Sequence, residues 1–280
     1  MDLNTVTEMV DARQYDGWRA GDAWLAGGTY LFSEPQPHVR RLVDLGRMGW
    51  APLRRTADGG LEIAATCTIA ELSGGFRSGF GAGCRAESGQ VGSVVERCCR
   101  AFVASFKVRN VATVGGNLCL ALPAGPMIAL TAALDGSCLL YARDGGRRRV
   151  AVADFVTGDG RTVLREGELL RSVTLPGRAL ERRTAFRRAS LSDEGRSAAL
   201  LIGALDPGTG AWTLTITAAT VRPVRLSFPG VPGAGELREE IERAVPEGDY
   251  VDDVHGLPEW RRHLTFRLGE EIREELAGQA

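Results

Sequence analysis

The sequence predicts an α+β protein of two units, residues 1–177 and 178–280. Three observations predict it. Short β-type runs lead into glycine pairs, with Leu25-Ala26-Gly27-Gly28 the first of them, and no regular strand–helix–strand repeat of a parallel α/β sheet follows. A polar stretch, 177–183, comes after a β-type run ended by Pro176 and reads as a linker. Beyond it, Trp212, Leu214 and Ile216 alternate with Thr213, Thr215 and Thr217, the period-2 pattern of a strand with one buried face.

Taken in order, residues 5–10 read as a short helix capped by Asn4. Runs 23–26, 41–45 and 61–65 are apolar and short, as strands are. Thr68 opens a helix, because Glu71 stands three residues on in a capping-box pattern. A longer helix is expected over 91–102, and an apolar one over 126–134 with Pro126 in its first turn, where a missing N–H costs little. Residues 137–141 and 148–152 flank Asp144-Gly145-Gly146 as a hairpin, and 169–175 is a strand. In the second unit, runs 184–189, 197–204 and 211–219 read as strands. Stretches 236–245 and 259–276 read as helices covering one face of their sheet.

Composition excludes several functions. The 280 residues carry a net charge of −1 with 25% charged and 44% hydrophobic content, so no strong field draws nucleic acid or an acidic membrane. No apolar run reaches the roughly 20 residues of a membrane span. Lys107 is the only lysine, which leaves it and the N-terminus as amines for Schiff-base chemistry. The cysteines Cys67, Cys84, Cys98, Cys99, Cys119 and Cys138 form no C-x-x-C pair, so neither a zinc site nor an iron–sulfur cluster is expected. Reduced thiols and no secretory leader point to the cytoplasm. His38, His255 and His263 are scattered, and no metal site is expected.

The chemistry-bearing segments are Ala26-Gly27-Gly28-Thr29 and Thr113-Val114-Gly115-Gly116-Asn117. A Gly-Gly turn permits positive φ and lets a ligand approach the backbone. Its successive N–H groups form a nest for phosphate oxygens, and Thr29 and Thr113 add hydroxyls. Two such turns would hold a pyrophosphate from two sides. Each also reads as an ordinary tight turn in a chain with 36 glycines. Neither is the G-x-G-x-x-G of a Rossmann unit, and no P-loop is present.

Order supplies what spacing does not. Leu25-Ala26-Gly27-Gly28-Thr29, then Leu42-Val43-Asp44-Leu45, Ile63 to Leu72, Val108-Arg109-Asn110-Val111-Ala112-Thr113-Val114-Gly115-Gly116-Asn117, Asp154-Phe155, Gly167-Glu168-Leu169-Leu170 and Trp260-Arg261-Arg262-His263 together resemble the FAD-binding (medium) subunits of molybdenum hydroxylases, the xanthine dehydrogenase and carbon monoxide dehydrogenase type. The resemblance implies a two-subdomain FAD domain of the vanillyl-alcohol-oxidase-like fold, followed by a small α+β domain like the C-terminal domain of the CO dehydrogenase flavoprotein. Truncation after Gly177 should then leave a recognisable FAD domain.

The resemblance implies that FAD is lined by Leu25, Ala26, Gly27, Gly28, Thr29, Tyr30, Leu31 and Phe32, and by Ala112, Thr113, Val114, Gly115, Gly116 and Asn117. Val103 and Leu170 would stand near the flavin. Arg187 would place a cation there, or else be a solvated charge on an edge strand. The chain departs from the family pattern at Tyr30, where many members have Asp, at Pro126, where many have the Asp of a Ser-Pro-Ala-Ala-Asp run, and at Leu191-Ser192, where some have Arg-Arg.

The function implied is an oxidoreductase subunit, active in a complex, whose flavin takes electrons from [2Fe–2S] clusters and passes them to NAD or another acceptor. The molybdenum cofactor would lie on a large partner chain and the clusters on a small one, in a heterotrimer or its dimer. No residue of this chain is expected to act as acid or base. Two alternatives stand beside it: a free-standing FAD-dependent oxidoreductase, and a flavin-free scaffold subunit of the same complex.

Overall fold

The computed structural model describes residues 3–77 and 90–278, so Cys84 lies outside the described residues. Strands β1 (Glu8–Asp11), β2 (Asp22–Leu25) and β3 (Arg41–Asp44) form a parallel sheet in the order β1-β3-β2. The helix expected over 5–10 is therefore a strand edge. Thr7 N–H donates to Arg40 O at 2.9 Å, and β1 pairs with β3 from Glu8 onward. Thr5, Val6, Thr7 and Val10 suit a pleated surface, and pairing with β3 overrides a helical cap.

A five-stranded antiparallel sheet follows, built from β4 (Leu53–Arg55), β5 (Leu61–Ala64), β6 (Ser137–Tyr141), β7 (Arg147–Ala151) and, after the short hairpin β8 (Val156–Gly158) and β9 (Arg161–Thr162), β10 (Leu169–Leu175). Strand β10 lies at its centre, between β5 and β6, and carries a bulge between Leu170 and Ser172. Five helices lie between β5 and β6 in the chain and contribute to the same core: α1 (Ile69–Arg77), α2 (Gln90–Ala101), α3 (Phe106–Arg109), α4 (Val114–Leu120), which packs on β5 and β10, and α5 (Pro126–Ala133); a short α6 (Val152–Phe155) follows β7. The expected capping box is present at α1: Thr68 N–H donates to Glu71 Oε2 at 2.8 Å, and Glu71 N–H to Thr68 Oγ1 at 3.1 Å. Every residue of α5 is buried, as its all-round apolar sequence requires.

The linker expected at 177–183 is folded. Helix α7 (Gly177–Leu180) packs under the sheet, with Gly177 N–H on Asp58 Oδ2 at 3.2 Å. A Cβ at Gly177 would lie 2.1 Å from Asp58 O, so only glycine permits that approach. Strands β11 (Arg183–Ala189), β12 (Ala199–Leu205), β13 (Trp212–Thr217) and β14 (Val224–Phe228) then form an antiparallel sheet in sequence order.

Helices α8 (Ala234–Ala244) and α9 (Pro258–Ala277) cover one face of that sheet, where Trp212, Leu214 and Ile216 point. The other face is buried as well, and this corrects the one-sided reading of the Trp212–Thr217 alternation. Helices α2 and α5 pack on it, and Phe186, Leu200, Ile202 and Ala218 join the first unit's core. Threonines on β13 are buried because a strand between two layers has no solvent face. No helix among the described residues is long and apolar enough to cross a membrane.

Candidate functional site

Strand β2 delivers the first glycine segment to the mouth of the molecule. Beyond Leu25 the chain turns back on itself, with Phe32 N–H donating to Gly28 O at 2.8 Å and Ser33 N–H to Tyr30 O at 2.8 Å. Gly28 has φ +67°, a conformation that glycine adopts without a steric cost. Gly27 serves another purpose. A Cβ there would lie 2.0 Å from Val111 O, so its bare Cα lets the first segment close on the second.

The second segment is not a turn but a helix start. Thr113 is the N-cap of α4, and its Oγ1 accepts from Gly116 N–H at 3.0 Å. Val114 N–H donates to Cys67 O, Gly115 N–H to Ala65 O and Asn117 N–H to Thr113 O, at 2.8, 3.0 and 3.0 Å. Neither Gly115 nor Gly116 has a positive φ, so the left-handed turn expected there is absent. Gly115 is glycine because a Cβ would meet Ala65 at 2.5 Å, whereas at Gly116 a Cβ would meet only Thr113 Oγ1, at 3.0 Å. Gly116 leaves open the side facing the cleft.

Between the two segments lies a cavity of about 260 Å³ lined by residues 26–31 and by Ala112, Thr113, Gly116 and Asn117. A second cavity, of about 290 Å³, continues past Tyr30, Phe102 and Asn117 and is walled by Val103, Val108, Leu120, Leu122 and Pro126. Together they fall in the range of small-molecule sites. Of the other sequence-predicted residues, Leu25, Phe32, Val114, Gly115, Leu170 and Arg187 line neither cavity. Leu170 and Val114 are core. Phe32 lies beside Gly28, whose added Cβ would meet its ring at 2.5 Å. Arg187 binds Glu271 and Glu275 on α9 at 3.0 and 2.7 Å, because strand alternation turns it to the face that α9 covers.

Chemically the first cavity is a donor site. Among the described residues no acceptor meets the N–H groups of Gly28, Thr29, Tyr30 and Leu31. Thr113 spends a lone pair on Gly116 and keeps its O–H for the cleft. Asn117 is oriented by accepting from Met127 N–H at 3.0 Å through Oδ1, which leaves its amide hydrogens as donors. This set suits the oxygens of a pyrophosphate, and the apolar second cavity suits a flat ring. Tyr30 stands between them with its hydroxyl on Glu34 Oε2 at 3.2 Å. Burial and then Glu34 push its phenol above the ordinary value, with the charge of Arg196 acting against them. Pro126 is N1 of α5 and lines the second cavity, where it offers no polar group. No group of metal-ligating side chains occurs among the described residues. Cys98 and Cys99 are both buried in α2, and burial drives the Cys98 thiol far above its usual range.

Sequence reasoning missed Trp24, Phe102, Cys119 and Leu120 in the first cavity, and Arg196 and Ser197 in the second. Two of these had a signal. Trp24 precedes Ala26 at strand period, and Leu120 follows Thr113, Gly116 and Asn117 at i+7, the face of a helix. Arg196 and Ser197 come from the other unit, where no local pattern marks them.

Residues 3–178 match a family model described as the FAD binding domain in molybdopterin dehydrogenase. Xanthine dehydrogenase 2 of Arabidopsis thaliana is 29% identical over 150 residues, 49% of this chain and 10% of that protein. Caffeine dehydrogenase subunit beta of Pseudomonas sp. (strain CBB1) is 34% identical over 110 residues, 37% of this chain and 36% of that one. The matched segment is thus a small part of the plant protein. The Cu,Mo-CO dehydrogenase, in its cyanide-inactivated form, contains a chain that superposes with a TM-score of 0.74 at 20% identity, covering 93% of this chain and 91% of its own. At that identity the likeness shows the fold.

Proposed function

The chain belongs to the family of FAD-binding domains of molybdopterin dehydrogenases, and we propose that it is the flavin subunit of a molybdenum-dependent hydroxylase or dehydrogenase. The observation that carries this reading is the pairing of free N–H donors at residues 28–31 with the Cβ-free face of Gly116 across one cleft. Gly28, Thr29, Tyr30 and Leu31 would hold the FAD pyrophosphate through the backbone, with Thr113 and Asn117 donating from the far side. Val103, Leu120 and Leu122 would pack the ring system and exclude water from it. When bound, FAD supplies two-electron and one-electron chemistry, and the protein's part is to position it and set its potential. Electrons would enter from [2Fe–2S] clusters on a small partner chain, fed by the molybdenum cofactor of a large one, and leave to NAD or another acceptor. The likeness to a chain of a CO dehydrogenase and to a beta subunit supports a heteromeric setting, and the free thiols of Cys67, Cys98, Cys119 and Cys138 suit the cytoplasm.

The test is co-purification. Pulled from its native host under mild conditions, the chain should bring one large and one small partner, with molybdenum and iron in the eluate. A flavin-bearing chain that elutes alone from every preparation would favour a free-standing flavoenzyme instead.

A further inference from the structure

Arg196 is the cation lining the second cavity, and it makes no hydrogen bond or ion pair among the described residues. It comes from the loop between β11 and β12. That loop is built around Arg188, whose Nε donates to Ser197 Oγ at 2.8 Å, whose Nη1 donates to Asp193 O at 3.2 Å, and whose Nη2 donates to Gly195 O. Backbone on both sides of Arg196 is therefore pinned. Gly195 N–H closes a turn on Ser192 O at 2.9 Å. Two residues beyond Arg196, Ala198 O accepts from the buried Arg261 at 2.7 Å, and the same Nη1 holds Ala218 O at 2.7 Å. Ala218 N–H in turn donates to Pro123 O at 2.9 Å, beside Leu122 and Ala124 in the cavity wall. The loop bearing Arg196 and the wall opposite it are thus tied to one guanidinium.

Arg196 stands exposed at the rim of this cavity, close enough for its charge to act on the Tyr30 phenol, so it also acts at short range on a ring that fills the cavity. Of the two ring systems of FAD, only the isoalloxazine gains negative charge on reduction, at N1 and the C2 carbonyl. We infer that Arg196 is the residue that stabilises the reduced flavin electrostatically, with Arg188 as its positioning residue, and that Arg187 has no part in it. The inference rests on FAD occupying this cleft.

The experiment uses the full chain loaded with FAD. Affinity for oxidised FAD is read from flavin fluorescence, and the two-electron potential from equilibration with a reference dye. In R196Q the oxidised affinity should stay within about twofold of wild type. The ratio of reduced to oxidised affinity should fall about tenfold, a lowering of the potential by about 30 mV. R196K should recover most of that loss. R187Q should leave the ratio unchanged while lowering the melting temperature, because Glu275 loses the Arg187 contact and Glu271 keeps only Arg267 among the described residues. An unchanged ratio in R196Q overturns the inference. So does an equal weakening of both redox states, which would put Arg196 against the pyrophosphate or the adenine. A wild-type chain that takes up no FAD overturns the cofactor reading itself and this inference with it.

Discussion

Gly27 and Gly116 face the same cleft but fail differently when given a side chain. At Gly27 an added methyl meets the backbone of Val111 at 2.0 Å, and backbone does not yield as a side-chain tip does. Gly27→Ala should cost about 1–3 kcal/mol of stability, as overpacking does, read from chemical denaturation. Gly116 is exposed at the protein surface of the cleft and helical in backbone, so Gly116→Val should leave stability within about 1 kcal/mol. The glycine pairs were legible in the sequence as special positions. Their reasons were not: positive φ applies to Gly28, close packing to Gly27 and Gly115, and openness to Gly116. The close packing depends on distant neighbours, Val111 for Gly27 and Ala65 for Gly115, 84 and 50 residues away in the chain.

Among the elements, the parallel sheet β1-β3-β2 carries the first segment, and a buried ion pair fixes it. Arg41 is buried, and grips Asp22 through Nε and Nη2 at 2.8 and 2.7 Å. The hydrogen bond to Arg41 holds the Asp22 carboxyl below its ordinary value, against the opposing pull of burial. A depressed folded-state value stabilises the fold above the unfolded carboxylate range, and the contribution is lost as pH falls through the folded value. Asp22→Asn should therefore lower the melting temperature at neutral pH and flatten its decline below about pH 4, measured by thermal melts across a pH series. Strand β13, by its alternation, and helix α5, by an apolar run opened by Pro126, were read directly. Strand β1 was misread because its pairing with β3 is non-local, and β4 was missed because three residues give too short a pattern; β14 alternates as Val224, Leu226 and Phe228 against Arg225 and Ser227, a signal that was there to read. The second segment was read as a turn although its residues recur at helical spacing, because Gly-Gly masks helix propensity.

At the scale of the whole molecule the two units share a core. Phe186, Leu200 and Ile202 pack against α2 and α5, and Asp135, just after α5, pairs with Arg182 and Arg225 at 2.7 and 2.5 Å. Removing the chain after Gly177 would expose that apolar face and strand Asp135. Such a truncation should be insoluble or bind a hydrophobic dye strongly. A monodisperse, flavin-binding fragment would show that the shared core is dispensable. The polar composition of 177–183 suggested a separable linker, but composition does not reveal that Gly177 is wedged against Asp58. Nor does it show that the second cavity takes a wall from the loop carrying Arg196. The site was legible as two local segments; its third side is tertiary.

The central claim is that FAD lies between residues 26–31 and the first turn of α4. Its most direct test is the flavin content of purified wild-type chain and of Gly116→Val, by absorbance and by chromatography of the released cofactor. Wild-type chain should carry close to one FAD and the variant little, with the two melting alike before flavin is added. Equal flavin in both proteins would contradict the claim.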